Sequence, residues 1–345
     1  MALAEGSEQD WWALLRIAGA FWLTGALAWR FREHGLTANL PAAVRDYADG
    51  AAELATLRAL EQCRQVRRVA LRLNDAGITP VVLKGTAAHL TRLYPDPGIR
   101  LCSDIDLLVP PAQLPEAVSV LRRAGYSEME TEPEGLDASR MKHHPRLSHP
   151  EESFGVDLHQ YAVDIGFRSV LNTEAILADA AILPGERNAM LLPSLDHRIS
   201  HCILHLMADY RAGRHVALRQ LLELRQLALH GGAAPDWPRI AGSFRQAGHR
   251  AAFEHALILA KQFVALPLPP IDLGLEARLL AVYEKTLFAS GLGMSPLPGM
   301  ARLYGAKIRR HGLWYLTARL LWGGDHRARI SRSLKEAAGY ARNRA

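Results

Sequence analysis

Cysteine is scarce in this chain of 345 residues: only Cys63, Cys102 and Cys202 occur. Their odd number, wide separation and lack of any CxxC pair exclude a disulfide framework and a cysteine zinc site. They fit buried thiols in a reducing cytosol. Long apolar runs are also missing. The richest stretch, residues 11–29, is interrupted by Arg16, and its clean part falls short of the roughly 20 residues a bilayer span needs. It therefore predicts a buried helix and no transmembrane segment. The first ten residues carry acids where a secretion signal needs bases, which argues against export. No internal repeat or low-complexity segment is present.

The remaining composition is ordinary. Hydrophobic residues make up 49% and charged residues 22%, which excludes a disordered chain and an integral membrane protein. The length exceeds a usual single core, so one compact unit with a helical appendage, or two domains, is expected. The net charge of +6 is uneven. Residues 301–345 hold eleven Lys and Arg against Asp325 and Glu336, a local +9 that leaves about −3 for residues 1–300. Interleaved with Trp314, Tyr315 and Trp322, this basic tail suits RNA, anionic lipid or an acidic partner. No nucleic-acid motif accompanies it, so a solvated helical face is the plainer alternative.

Along the chain, Leu54, Leu57, Leu60, Cys63, Val66, Val69 and Leu73 recur at helical spacing. The turn Gly77-Ile-Thr-Pro80 then introduces Val81-Val82-Leu83, a predicted strand. Lys84-Gly85-Thr86 closes it, with a short helix expected over residues 87–93. Ile105 to Val109 reads as a strand, residues 113–124 as an amphipathic helix, residues 126–130 as a weaker strand, and residues 154–159 as another strand. Beyond about residue 190 the pattern is helical. The fold class expected is α+β: a small mixed-sheet core over residues 78–190, between a helical region at 1–77 and a helical region at 191–345 that ends in the basic tail.

The sharpest chemical signal is Ser103-Asp104-Ile105-Asp106-Leu107-Leu108-Val109. Residues two apart on a strand share a face, so Asp104 and Asp106 present adjacent carboxylates. Their mutual repulsion calls for cations, and hard divalent ions with oxygen ligands meet that need. Phe154-Gly-Val-Asp157-Leu-His159 is placed to add a third carboxylate. Three acids can hold two ions, which suits in-line displacement at phosphorus. Gly85, between strand and helix, lets backbone N–H groups approach phosphate oxygens.

These residues together resemble the nucleotidyltransferase superfold, the fold of DNA polymerase beta. The closer likeness is to a bacterial family described as uncharacterised nucleotidyltransferases. It rests on Leu83-Lys-Gly-Thr-Ala-Ala88, Leu93-Tyr-Pro-Asp-Pro-Gly-Ile-Arg100, Ser103-Asp-Ile-Asp-Leu-Leu-Val109 and Val156-Asp-Leu-His159, in that order. The likeness covers roughly residues 55–225. It implies Asp104, Asp106 and Asp157 as catalytic ligands of Mg²⁺ or Mn²⁺, and Gly85 with Thr86 as the triphosphate cradle. Two departures from the superfold stand out: Lys84 before the glycine, and a longer loop between Thr86 and Asp104.

Lys84, Arg100 and Ser103 sit beside these motifs as further candidates for NTP contacts, with a salt bridge to the acids the alternative for the two cations. His159 should share a face with Asp157. His197, His201 and His205 fall four apart on a helix without the Glu a zinc protease needs, and His205 is a candidate neighbour of the cleft. Glu223 stands where the family more often has Asp, and suggests a structural cap. The function these signs point to is transfer of an NMP from an NTP to an acceptor hydroxyl on a small molecule, peptide, protein or RNA, in the cytoplasm. The alternatives are a non-catalytic or toxin–antitoxin-type module that binds RNA or protein, and kinase-like phosphoryl transfer.

Overall fold

The computed structural model of the chain describes residues 6–129, 141–211 and 218–289; the basic tail and its aromatic residues lie outside them. Among the described residues the fold is mixed α/β. Three helices lead in: α1 (Glu8–Ala20), α2 (Thr24–Glu33) and α3 (Ala42–Asp75). The sheet region follows as β1 (Val81–Val82), α4 (Lys84–Leu90), β2 (Asp104–Leu108), α5 (Leu114–Arg123), β3 (Ser127–Glu128), β4 (Leu147–Ser148), β5 (Gly155–His159), α6 (Thr173–Asp179), β6 (Ala181–Ile182) and β7 (Leu191–Leu192). Five helices complete the described chain: α7 (Leu195–Arg211), α8 (Leu218–His230), α9 (Trp237–Gln246), α10 (Arg250–Val264) and α11 (Leu275–Ala289).

The seven strands run in the order β3-β4-β5-β2-β1-β7-β6. At the centre β2 pairs parallel with β5 and antiparallel with β1. One face of these strands presents Ile105, Leu107, Val156 and Leu158, which are buried against Val66, Val69 and Leu73 of α3 and against Ala117, Val118 and Leu121 of α5. Strand alternation sends the acids to the other face. Two compact units result. Among the described residues, the first holds those up to Cys202 together with Gln226–Asp236, and the second holds those of Ile203–Arg225 together with residues 237–289.

Several local expectations need correction. Residues 11–29 form two helices, because the chain turns at Phe21-Trp22-Leu23 and Trp22 adopts a left-handed φ of +61°. Trp11, Leu15, Ala18 and Ala28 from these helices are buried, and no helix among the described residues is long and apolar enough to cross a membrane. In α3 the helix is real but its first half buries a different face. Val44, Ala48, Ala52, Ala55 and Ala59 point inward, while Leu54, Leu57 and Leu60 are 60%, 56% and 56% exposed. The short helix after β1 begins at Lys84, before the glycine, and ends at Leu90. The expected strand at residues 126–130 is only two residues long.

Two buried glutamines on α3 fix where the acid-bearing strands begin. Gln62 donates to the Asp104 carbonyl at 2.5 Å. One turn later, Gln65 donates to the Phe154 carbonyl at 2.7 Å and accepts the Phe154 N–H at 3.0 Å. Backbone groups that would otherwise be buried without partners are thus satisfied, and both strand ends are tied to one helix.

Candidate functional site

In the β2–β5 ladder, Asp106 is the direct partner of Asp157, Asp104 of Gly155, and Leu108 of His159. Two carboxylates from β2 and one from β5 therefore share a face, with His159 beside them. Asp106, Asp157 and His159 are buried, and each offers a ligand atom within 4.8 Å of the others, a set compatible with a divalent metal ion.

Cations from neighbouring elements hold this negative charge. The Lys84 ammonium donates to Asp106 Oδ1 at 2.5 Å, and the His159 ring places Nε2 2.9 Å from the same oxygen. Arg146, just before β4, spans the other two acids. Its Nε and Nη2 donate to the two oxygens of Asp157 at 2.9 and 3.0 Å, and Nη2 also donates to Asp104 at 2.6 Å. This planar fork matches a carboxylate in bidentate fashion. Gly155 makes room for it, since a Cβ there would stand 2.5 Å from the Arg146 Cδ.

The electrostatics divide the acids. Burial opposes the Asp106 charge, but Lys84 and His159 overcome it and hold the carboxyl well below its ordinary range. Asp104 is pushed up, by burial first and then by the charges of Asp106 and Asp157. Burial also works against Lys84, yet the Asp106 charge raises it. Burial and the nearby Lys84 charge bring His159 down to about 4, so its imidazole is neutral at neutral pH and donates from Nε2 to Asp106. Half-buried Lys142 is lowered by burial and by Lys84; it lies 3.8 Å from Asp164.

The turn between β1 and α4 is tightly built. Lys84 has a φ of +46°, a region that costs a non-glycine residue of order 1–3 kcal/mol. Gly85 is buried, and a Cβ on it would lie 2.2 Å from Cys102 Sγ and 3.4 Å from the Arg100 guanidinium. Close packing onto Cys102 is thus one reason for glycine here. Thr86 is buried with its hydroxyl accepting the Asp106 N–H at 3.3 Å. Arg100 is buried too, and donates to the Leu101 carbonyl at 2.7 Å. The His89 ring lies between Gln62 Oε1 at 2.6 Å and the Arg100 carbonyl at 2.7 Å, so the loop before β2 is braced through α3 and α4. Ser103 is exposed at the start of β2.

His143 packs edge-on against His159, with ring centroids 5.1 Å apart. His144 lies 3.6 Å from Glu128, and His149 packs against Tyr126. His205 and Glu223 belong to the second unit. His205 Nε2 lies 4.0 Å from Asp209, itself the acceptor of a 2.9 Å hydrogen bond from Gln220, and Glu223 is buried on α8. Arg146, Lys142, Gln62 and Gln65 were not singled out by the motifs. Alternation around Arg146-Leu147, antiparallel to β5, was the available signal for Arg146, obscured by the surrounding Pro and His residues.

Residues 7–265 match the profile of a family described as "Uncharacterised nucleotidyltransferase", and the chain belongs to that family. No curated protein and no solved structure matches the chain.

Proposed function

We propose that this member of the nucleotidyltransferase family moves an NMP from an NTP to an acceptor hydroxyl and releases pyrophosphate. The observation that carries this reading is the parallel register that sets Asp157 beside Asp106, with Asp104 on the same face. Asp104, Asp106 and Asp157 suit Mg²⁺ or Mn²⁺, because oxygen donors match hard cations and the two cations Lys84 and Arg146 offset the charge of the three acids only in part. The bound metal would polarise the phosphoryl oxygens and stabilise charge on the leaving pyrophosphate.

The chain's own residues do the rest. Lys84, with His159, holds the Asp106 carboxyl well below its ordinary range. His159, neutral and fully buried, fixes the orientation of the Asp106 carboxylate through its Nε2 hydrogen bond. Arg146 exchanges its carboxylate partners for phosphate oxygens when the donor arrives, since its fork fits both anions. Asp157 orients the acceptor and takes the hydroxyl proton. The acceptor oxygen bonds to the α-phosphorus while the bond from that phosphorus to the bridging oxygen breaks, and pyrophosphate departs in line.

A cytoplasmic setting would supply NTP and keep Cys63, Cys102 and Cys202 as reduced thiols. An RNA or other anionic partner would meet the basic tail. The test is transfer of label from α-³²P NTPs to candidate acceptors and cell extract, with the released product identified. Pyrophosphate release abolished by Asp106→Asn supports the proposal. Nucleoside diphosphate release would replace it with phosphoryl transfer, and RNA binding indifferent to that substitution, without any transfer, would replace it with a binding module.

A further inference from the structure

At the amino end of β2, next in sequence to Asp104, the first unit holds a cavity of about 360 Å³, walled by Trp22, Tyr47, Leu54, Arg58, Leu101 and Ser103. We infer that this cavity seats the nucleoside of the donor, its base lying against the aromatic wall; the inference rests on the transfer reading above. Position is the first support. Ser103 precedes Asp104 directly, so the cavity borders the end of β2 where the carboxylates begin. Cys102 also lines it, and Cys102 is the residue on which Gly85 packs. The cavity therefore adjoins the flank of β2 that carries Lys84 and the α4 turn, whereas Asp157 stands on the opposite flank, in β5. A triphosphate over Lys84 has its nucleoside continuing toward the cavity and its acceptor approaching from β5.

Size and chemistry agree. Small-molecule sites span roughly 300–1,000 Å³ and are mostly apolar with a few polar groups. This one is at the lower end, with room for one nucleoside. Trp22 and Tyr47 stay 43% and 52% exposed although both are large aromatics, and bases stack on such rings whatever their identity. Arg58, its guanidinium 5.0 Å from the Phe154 ring centroid, and Ser103 bring hydrogen-bonding groups to the wall. Trp22 carries a second mark. An indole at φ +61° is held against its backbone preference, and strain of this kind collects at binding sites.

The experiment is calorimetric binding to the full chain in Mg²⁺ with two probes: non-hydrolysable α,β-methylene NTPs and inorganic tripolyphosphate. Trp22→Ala and, at an exposed position that leaves the fold intact, Leu54→Ser should each weaken the nucleotide about tenfold and leave tripolyphosphate unchanged. Unchanged nucleotide affinity in both variants, or an equal loss for both probes, overturns the inference. Wild-type protein that binds neither probe sinks the transfer reading as well; wild-type binding lost in Asp106→Asn but intact in Trp22→Ala sinks only the nucleoside seat.

Discussion

Lys84 reaches Asp106 across a turn whose own backbone is strained: the ammonium lies 2.5 Å from the carboxylate, and the residue that carries it sits at φ +46°. A favourable buried pair holds an unfavourable conformation in place. Lys84→Met should leave Asp106 buried with His159 as its remaining side-chain partner, at a cost of about 3 kcal/mol, within the range for breaking a buried pair. Urea unfolding of the metal-free protein measures this. A loss below about 1 kcal/mol would mean that His159 alone suffices.

Arg146 and a divalent ion compete for the same oxygens of Asp104 and Asp157. Arg146→Gln should therefore tighten Mn²⁺ binding, by about tenfold if the competition is worth ~1.4 kcal/mol, while transfer slows because a phosphate partner is gone. Electron paramagnetic resonance of free Mn²⁺ reads the affinity. Weaker Mn²⁺ binding in this variant would show that the guanidinium supports the metal site instead.

His159 makes stability depend on pH. Its folded pKa of about 4 lies below the ordinary 6.5, so the unfolded chain binds the proton more readily. Its contribution is intact above pH 6.5 and is lost as pH falls toward 4, by about 3 kcal/mol at 1.36 kcal/mol per unit. Asp106, also depressed, adds a loss in the same direction at lower pH. Urea unfolding in EDTA at pH 7 and 4.5 should show this slope in the wild type and a shallower one in His159→Gln.

Gly85 and Cys102 form a packing pair. Gly85→Ala should cost about 1–3 kcal/mol by overpacking, and Cys102→Ala in the same chain should recover part of that cost by removing Sγ. Thermal unfolding of the two single variants and the double variant gives the coupling. Additive losses would show that the sulfur is not what excludes a side chain at residue 85.

Gln65→Leu should cost about 2 kcal/mol, because the Phe154 N–H and carbonyl would both lose their buried partner. Hydrogen exchange at the Phe154 and Val156 amides localises the effect. Uniform faster exchange with β5 no worse than the rest would argue against a clamp on this strand.

The central strands and the meeting of three aspartates were legible because they depend on a period of two: Asp104 with Asp106, and Asp157 with His159, are each two apart. The cations were less so. Lys84 stood beside a motif, but Arg146 stands just before a strand of two residues, too short to show a period. On α3, leucines at helical spacing drew attention while the buried face near the amino end is mostly alanine. Small side chains carry a weak hydrophobic signal, yet they allow the close approach of α2, and that tertiary demand decided which face turned inward. Gln62 and Gln65 read as surface residues, since a glutamine's burial follows from the backbone groups it meets and not from its own polarity.

The ladder between β2 and β5 also predicts which changes in length such a protein tolerates. Residues 109–113 lead from β2 to α5 outside the paired residues of that ladder, so additions there should leave the three carboxyl groups facing one another. Removal of a single residue inside β5 would instead rotate Asp157 into the apolar layer and bring a valine or leucine out to meet Asp106.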